Sequence, residues 1–455
     1  MKHIHIIGGG LAGPEAALQA AALGCKVVLS EMRPLRSTEA HQTSDFAELV
    51  CSNSLKSESE NTAAWLLKQE MRRAGSFLLR AAAAAAVPAG HALAVDRAVF
   101  SARVAELIAA EPNIEVRREE VATLDENDPN TITILASGPL TSAPLTAELQ
   151  RLTGAAHLAF YDSISPIVDA STIDMDKVYF AARWDKGTAD YINCPFTKEE
   201  YEAFLDALIA AEKVEAKAWE AIPTNGEVTA APVAMNYFEG CLPIEETARR
   251  GRDTLRFGPM KPAGLTNPKT GRWPYAAVQL RQENLRADSY NLVGFQNHLK
   301  FGEQARVLRL IPGLEHATFL RYGQIHRNTY IHAPSLLTET LQLKAHPSIF
   351  IAGQLSGVEG YTESIASGML AGRYAAALAR GEQPTPAPRA SANGSLTYYI
   401  THAESKRFQP ANITFDLLLP LEEDLRKKIR DKKERHRVQC DRALTAWDQW
   451  LAGMP

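Results

Sequence analysis

Lys2-His3-Ile4-His5-Ile6-Ile7-Gly8-Gly9-Gly10-Leu11-Ala12-Gly13 is the stretch whose reading decides the fold. A short β-branched run enters a glycine cluster that fits G-x-G-x-x-G through Gly8, Gly10 and Gly13, at the junction of a strand and a helix. The helix carries Ala12, Ala16, Ala17 and Ala20 and stops at Gly24, after which Lys26-Val27-Val28-Leu29-Ser30 reads as a second strand ending at Glu31. This is a whole βαβ unit. Gly8, Gly9, Gly10, Leu11, Ala12 and Gly13 form its phosphate-binding turn: Gly8 for the tight bend, Gly10 for close approach of backbone N–H groups to a pyrophosphate, Gly13 for close packing of helix on strand. The phosphates belong at the positive helix N-terminus. Glu31 is placed to accept hydrogen bonds from a ribose, and its charge disfavours a 2′-phosphate, which points to FAD or NAD rather than NADP. The bland alternative, a glycine-rich turn in an ordinary α/β domain, does not account for strand, helix and acid in register.

At 455 residues the chain exceeds one compact core, so two or three domains are expected. A hydrophobic content of 45% and a charged content of 22% are those of a soluble globular protein. The glycines that follow the first strand interrupt any apolar signal segment, and no stretch approaches a spanning length, so the expected location is cytoplasmic. The five cysteines, Cys25, Cys51, Cys194, Cys241 and Cys440, are far apart and form no C-x-x-C pair, which excludes the usual structural zinc spacings; no metal is expected. A net charge of −4 gives no global basic signature, leaving nucleic-acid binding to local patches.

Residues 32–62 read as a long polar loop with the insert Phe46-Ala47-Glu48-Leu49-Val50-Cys51-Ser52-Asn53-Ser54; a loop of that length beside a dinucleotide site has a functional reason. Asn61 or Thr62 caps a helix with Leu67, Met71, Ala74 and Leu78 on one face, running on into the alanines of 81–86 until Pro88 and Gly90. A short extended piece (92–97), a helix (100–110) and strands at 114–117 and 131–135 follow, and Ala136-Ser137-Gly138-Pro139 marks a crossing into an inserted unit. From about 166 the texture is aromatic and charged without βαβ alternation. Thr197 and Glu200 form a capping box, and Arg249–Arg272 is basic and rich in Gly and Pro. The expected organisation is a first FAD-domain segment at 1–165, an inserted domain at 166–330, and a second FAD-domain segment at 331–455 with a helical tail.

The α/β signal returns with the strand 348–352, a loop that carries Gly353 and Gln354, and a helix from Glu363 to Ala379 with Ser364 in its first turn and Ala366, Gly368, Ala371, Gly372 and Ala375 as small residues. Strand, glycine loop and small-residue helix make a second half-site, so that one FAD is held between the two ends of the chain. Tight helix packing explains the small residues equally well when they are taken alone. Residues 382–395 read as an exposed loop, and Leu425–Arg437, with eight Lys/Arg against two acids, as a solvated helix face or an RNA-phosphate patch. Cys25 and Cys440 fit small buried hydrophobes; Cys51, Cys194 and Cys241 lie in irregular polar segments, and Arg249, Arg250 and Arg252 downstream of Cys241 favour a thiolate.

The fingerprint with Glu31-Met32-Arg33-Pro34, the Cys51 insert through Leu55, Ala92–Arg97, Asn193–Tyr201, Phe238-Glu239-Gly240-Cys241, Arg256–Pro262, Tyr322–Tyr330, and Gly353-Gln354 with Gly360–Ser364 together closely resemble the TrmFO family, GidA-related flavoproteins. The resemblance covers nearly the whole chain and departs from it at Pro14, at His91 and in a longer loop before Cys241. It implies a doubly wound, largely parallel α/β FAD-binding domain of Rossmann-like type with an inserted α+β domain. It also implies methylation of uridine C5 in the tRNA T-loop, with 5,10-methylenetetrahydrofolate as carbon donor, FAD as redox cofactor and NADH or NADPH as reductant. By resemblance Cys241 is the thiolate that adds to uracil C6 and makes C5 nucleophilic, and Cys51 is the second functional cysteine, acting in acid/base work or as a transient adduct. Three rival readings keep the same residues: the same chemistry on a ribosomal RNA uridine, a small-molecule flavin oxidoreductase with structural cysteines, and an RNA-binding flavoprotein related to the wobble-uridine modification enzymes.

Overall fold

The computed structural model describes residues 2–154, 158–214, 242–404 and 408–453. β1 (His3–Ile7) enters helix Ala12–Ala22, and β2 (Val27–Glu31) returns parallel to β1, with Ile4 opposite Val27 and Ile7 opposite Ser30. Pro14 stands in the first turn of that helix, where its missing N–H has no intrahelical carbonyl to meet.

The long loop ends in β3 (Ser54–Ser57). The helix expected over 62–86 is in fact two, Ala63–Arg73 and Phe77–Ala84. Thr62 caps the first through Trp65 N–H. Gly75 then turns left-handed at φ +77°, Ser76 caps the second helix, and the buried Glu15 carboxylate accepts from Phe77 N–H (3.2 Å) and Leu78 N–H (2.8 Å). A carboxylate from 62 residues away thus fixes a helix start that local periodicity does not reveal. The alanine run leaves the helix before its end, since β4 (Ala86–Val87) already pairs with β5 (Ala92–Val95), and β5 pairs with β3.

Helix Arg97–Ala109, capped by Asp96, leads to β6 (Ile114–Arg118) and then β7 (Thr131–Leu135). An antiparallel ribbon of β8 (Leu158–Ser163) and β15 (Ile325–Tyr330) flanks the intervening unit. Inside it, β9 (Ile167–Asp169), β10 (Tyr179–Phe180), β11 (Ile192–Phe196), β12 (Ala276–Gln282), β13 (Ser289–Leu292) and β14 (Phe319–Arg321) form an antiparallel sheet in the order β10–β11–β12–β13–β9–β14. Helix Lys198–Ala210 opens with both hydrogen bonds of the Thr197–Glu200 capping box and packs Phe204, Leu205 and Leu208 into a core of its own with Val278 and Leu280. Cys194 lies at the centre of this core, fully buried on β11, and burial pushes its thiol up. The reading of Cys194 as part of an irregular polar segment is therefore corrected.

β16 (Ile349–Ile351) completes the parallel sheet in the order β16–β7–β1–β2–β6. Helix Tyr361–Ala379 lies directly on helix Ala12–Ala22: a Cβ on Gly368 would come within 2.3 Å of Ala12 O, and one on Gly372 within 2.4 Å of Ala16 O. The small residues thus serve helix packing, and that packing joins the two ends of the chain. The reading of 382–395 as an exposed loop holds for 382–386 and is corrected for its C-terminal part. Ser391–Ser395 are buried at the start of helix Ala392–His402, whose Ala392 and Asn393 N–H groups donate to the buried carboxylate of Glu70. Among the described residues no helix is long and apolar enough to cross a membrane, and no group of His, Cys, Asp and Glu is arranged to hold a metal ion.

Candidate dinucleotide cavity and its thiol

The C-terminal ends of β1 and β2, the turn after β7 and the N-terminus of helix Tyr361–Ala379 converge on a cavity of about 300 Å³. Gly8, Gly9, Gly10, Leu11, Ala12 and Glu31 line one side, Gly353, Gln354 and Ser364 another, and Cys51 is in the same wall. Gly13 is not in the wall: a Cβ there would lie 1.9 Å from Gly8 O, so its task is to bring helix and strand together. Cys241 lies outside the described residues.

Glu31 is buried, and its Oε2 accepts from Gly9 N–H at 2.6 Å while its Oε1 accepts from Arg33 Nε at 2.9 Å. Burial opposes its ionisation, but the hydrogen bond and charge of Arg33 outweigh it and hold the carboxyl below the ordinary range. Arg33 is itself shared with Glu48 at 3.0 Å. A fixed carboxylate at the tip of the second strand, beside backbone open to the cavity at Gly10, where a Cβ would meet nothing within 4 Å, fits a ribose and a pyrophosphate. Asn328 adds a second sign of a ligand. It is 1% exposed, lines the cavity, and its Oδ1 has no hydrogen-bond partner among the described residues.

Around Cys51 the geometry is specific. Tyr361 Oη accepts from the backbone N–H of Cys51 (2.8 Å) and of Ser52 (3.2 Å) and lies 3.0 Å from Cys51 Sγ. With both lone-pair directions taken by backbone donors, the hydroxyl proton is directed at sulfur. Burial, and then the charge of Cys51, push the Tyr361 hydroxyl well above its ordinary pKa, so it stays a donor. Three arginines hold the loop: Arg97 donates to Leu49 O (2.6 Å), Arg321 to Val50 O (3.1 Å), and Arg281 to Ser52 Oγ (2.9 Å) and Asn53 Oδ1 (3.0 Å). Of these, Arg97 and Arg321 are near enough for their charges to interact with Cys51. Lys56, held at φ +64°, also lines the cavity and pairs with the buried Glu363 at 2.6 Å.

The other described cysteines have no such setting. Cys25 and Cys440 are buried, and desolvation raises both thiols, that of Cys440 to about 12.

Comparison with known proteins shows the family. The GidA family model (Glucose inhibited division protein A) matches residues 3–383. The chain is 67% identical over 449 residues to a Koribacter versatilis protein, with 99% of this chain and 98% of that protein covered. The chain belongs to the TrmFO family. That relative, one from Solibacter usitatus (60% identity; 99% of this chain, 98% of that protein) and one from Enterococcus faecalis (52%; 100% and 99%) each bear the name methylenetetrahydrofolate--tRNA-(uracil-5-)-methyltransferase TrmFO. The crystal structure of Aquifex aeolicus GidA in form II superposes with a TM-score of 0.68 at 16% identity, covering 98% of this chain and 73% of that one, which shows a shared fold.

Arg97, Asn328 and Tyr361 lie inside stretches that carry the family resemblance, yet no local motif assigns them a place at the cavity, and Arg321 and Lys56 lie just outside those stretches. All but Lys56 come from segments remote in sequence from the Cys51 loop, and Lys56 reads there as an ordinary polar residue. Their signal is positional: Tyr361 follows Gly360 at a helix start, and Asn328 is an uncharged polar residue in the middle of β15.

Proposed function

We propose that the chain transfers the one-carbon unit of 5,10-methylenetetrahydrofolate to C5 of a uridine in the T-loop of tRNA, with FAD bound in the cavity and NADH or NADPH as reductant. The observation that carries the reading is Cys51: a thiol held among arginines stands in the wall of the dinucleotide cavity of a TrmFO-family chain. A small-molecule oxidoreductase needs no thiol there.

Gly8–Ala12 and the N-terminus of helix Ala12–Ala22 would hold the pyrophosphate of FAD, Glu31 a ribose, and Gly353, Gln354 and Ser364 the far half. FAD, when bound, supplies the two-electron reduction that turns a methylene into a methyl group. The rest of the chemistry falls to side chains. Uracil C5 is a weak nucleophile until a thiolate adds at C6 and drives electron density through the ring to C5; this role is assigned to Cys241 by family resemblance. Ile244 N–H donates to the carbonyl of Gln296, a residue of the cavity wall, at 2.9 Å. Cys51, with Tyr361 donating to its sulfur, is placed to hold or release a proton inside the cavity. Asn328 offers an amide oxygen to a ring N–H.

The test is methyl incorporation from labelled methylenetetrahydrofolate into unmodified tRNA transcript by wild type, Cys51→Ala and Cys241→Ala. Label in a single T-loop uridine with wild type, and none with either variant although both remain yellow, is the expected result. Oxidation of NAD(P)H without label in tRNA would overturn it.

A further inference from the structure

We infer that Trp184 and Trp273, on the inserted domain, form a stacking platform for unpaired bases of the RNA substrate; the inference rests on the RNA substrate proposed above. The two indoles are exposed at 53% and 49% and meet edge to face with centroids 5.0 Å apart. Single exposed apolar side chains are ordinary, but a bare tryptophan pair is not.

The backbone is bent to present it. Trp184 sits at φ +62° and Asp185 at φ +53°, a region that bulky residues avoid and that persists where the surroundings impose it. Here Gly264 and Arg183 impose it. Trp184 N–H donates to Gly264 O at 2.7 Å, and a Cβ on Gly264 would lie 2.7 Å from the indole, so only glycine lets the ring rest there. Arg183 ties the same turn to the carbonyls of Lys261 and Ala263.

Charge selects the partner. Residues 256–273 carry Arg256, Lys261, Lys269 and Arg272 and no acid, together with Phe257, which is 80% exposed. Lys261 and Arg272 are exposed. Aromatic faces interleaved with cations suit unstacked bases on a phosphate backbone.

Position connects the platform to the thiol. On β12, Val278 and Leu280 turn into the inserted-domain core, whereas Gln279 and Arg281 share the opposite face. Gln279 Oε1 accepts from Arg183 Nη2 at 3.0 Å, and Arg281, roughly 7 Å further along the strand, donates to Ser52 Oγ beside Cys51. One strand therefore links the turn that carries Trp184 to the loop of the Cys51 thiol.

The experiment measures the affinity of the flavin-loaded full chain for unmodified tRNA transcript across a salt series. Trp184→Gly suits the left-handed backbone and should fold; its flavin absorbance and melting temperature report that it has. Loss of a stacked base should weaken binding about 5- to 150-fold. The slope of log Kd on log salt should stay at the wild-type value, because stacking releases no counterions. Lys261→Ala with Arg272→Ala should instead lower that slope by about 0.7 for each phosphate that is no longer neutralised. A Trp184→Gly chain that binds tRNA within twofold of a binding and methylating wild type overturns the platform alone, as does a finding that the substitution abolishes self-association and leaves tRNA affinity intact. A wild type that binds no tRNA overturns the substrate reading as well.

Discussion

Tyr361 Oη and Cys51 Sγ are 3.0 Å apart although 310 residues separate them, and the tyrosine oxygen is anchored by the two backbone N–H groups of the cysteine's own loop. The hydroxyl therefore stabilises negative charge on sulfur and cannot swing away without leaving two N–H groups unpaired. In Tyr361→Phe that donor is gone. Hydrogen bonds to charged groups are worth about 1.5–3 kcal/mol, so alkylation of Cys51 by iodoacetamide near neutral pH should slow by about tenfold or more. Mass spectrometry of the Cys51 peptide over time measures it, and an unchanged rate would remove Tyr361 from any role at the thiol.

What was legible in the sequence and what was not divides along the range of the contacts. The turn Gly8–Gly13 and Glu31 belong to one βαβ unit, and the capping box at Thr197 spans four residues; local spacing suffices for both. The Cys51 loop takes its shape from Arg97, Arg281, Arg321 and Tyr361, none within 40 residues of it, so its length signalled function without revealing a partner. Glu15 at the start of helix Phe77–Ala84 is the same case. Cys194 was within reach: Ile192, Cys194 and Phe196 alternate as a strand buried on one face, a period-2 signal masked by the intervening Asn193 and Pro195.

Glu31 should show itself in both cofactor retention and acid stability. Glu31→Ala leaves the Arg33 guanidinium, 2% exposed, with Glu48 as its remaining side-chain ion-pair partner, and breaking a buried pair costs about 3–5 kcal/mol. The chain should purify with little flavin. Because the folded-state pKa of Glu31 lies below its ordinary 4.5, the stability it contributes is present above that pH and is lost as pH falls through the folded value. The gap in melting temperature between wild type and Glu31→Gln should be widest above pH 5 and narrow below pH 4; a constant gap would contradict the assignment.

Glu245 predicts the opposite slope. It is buried next to His298, accepts the His298 backbone N–H at 2.8 Å on Oε1, and has no partner on Oε2 among the described residues. Burial raises its pKa from 4.5 to about 7. Its contribution is therefore complete below pH 4.5 and is lost as pH rises through about 7, by an amount on the order of 3 kcal/mol. Glu245→Gln keeps the shape without the charge and leaves His298 in place, so the variant should gain on wild type in urea midpoint between pH 5 and pH 8. Parallel midpoints over that range would show that Glu245 is not held neutral.

The contact between helices Ala12–Ala22 and Tyr361–Ala379 supplies the last prediction, because its sign runs against propensity. Replacing a mid-helix glycine by alanine ordinarily stabilises a helix by up to about 1 kcal/mol. At Gly368 the new methyl would meet Ala12 O at 2.3 Å and Ala12 Cα at 2.7 Å, both backbone atoms that no rotamer change can move. Overpacking of that kind costs about 1–3 kcal/mol. The strain also falls on Ala12, which lines the cavity at the start of the phosphate-binding helix. Gly368→Ala should thus lower the melting temperature and reduce flavin content together. At Gly381, just beyond the end of the same helix, a Cβ would meet nothing within 4 Å, so Gly381→Ala should retain its flavin and lose only the stability that its left-handed backbone demands. Equal flavin content in wild type and Gly368→Ala would mean that the helix contact and the cavity are uncoupled.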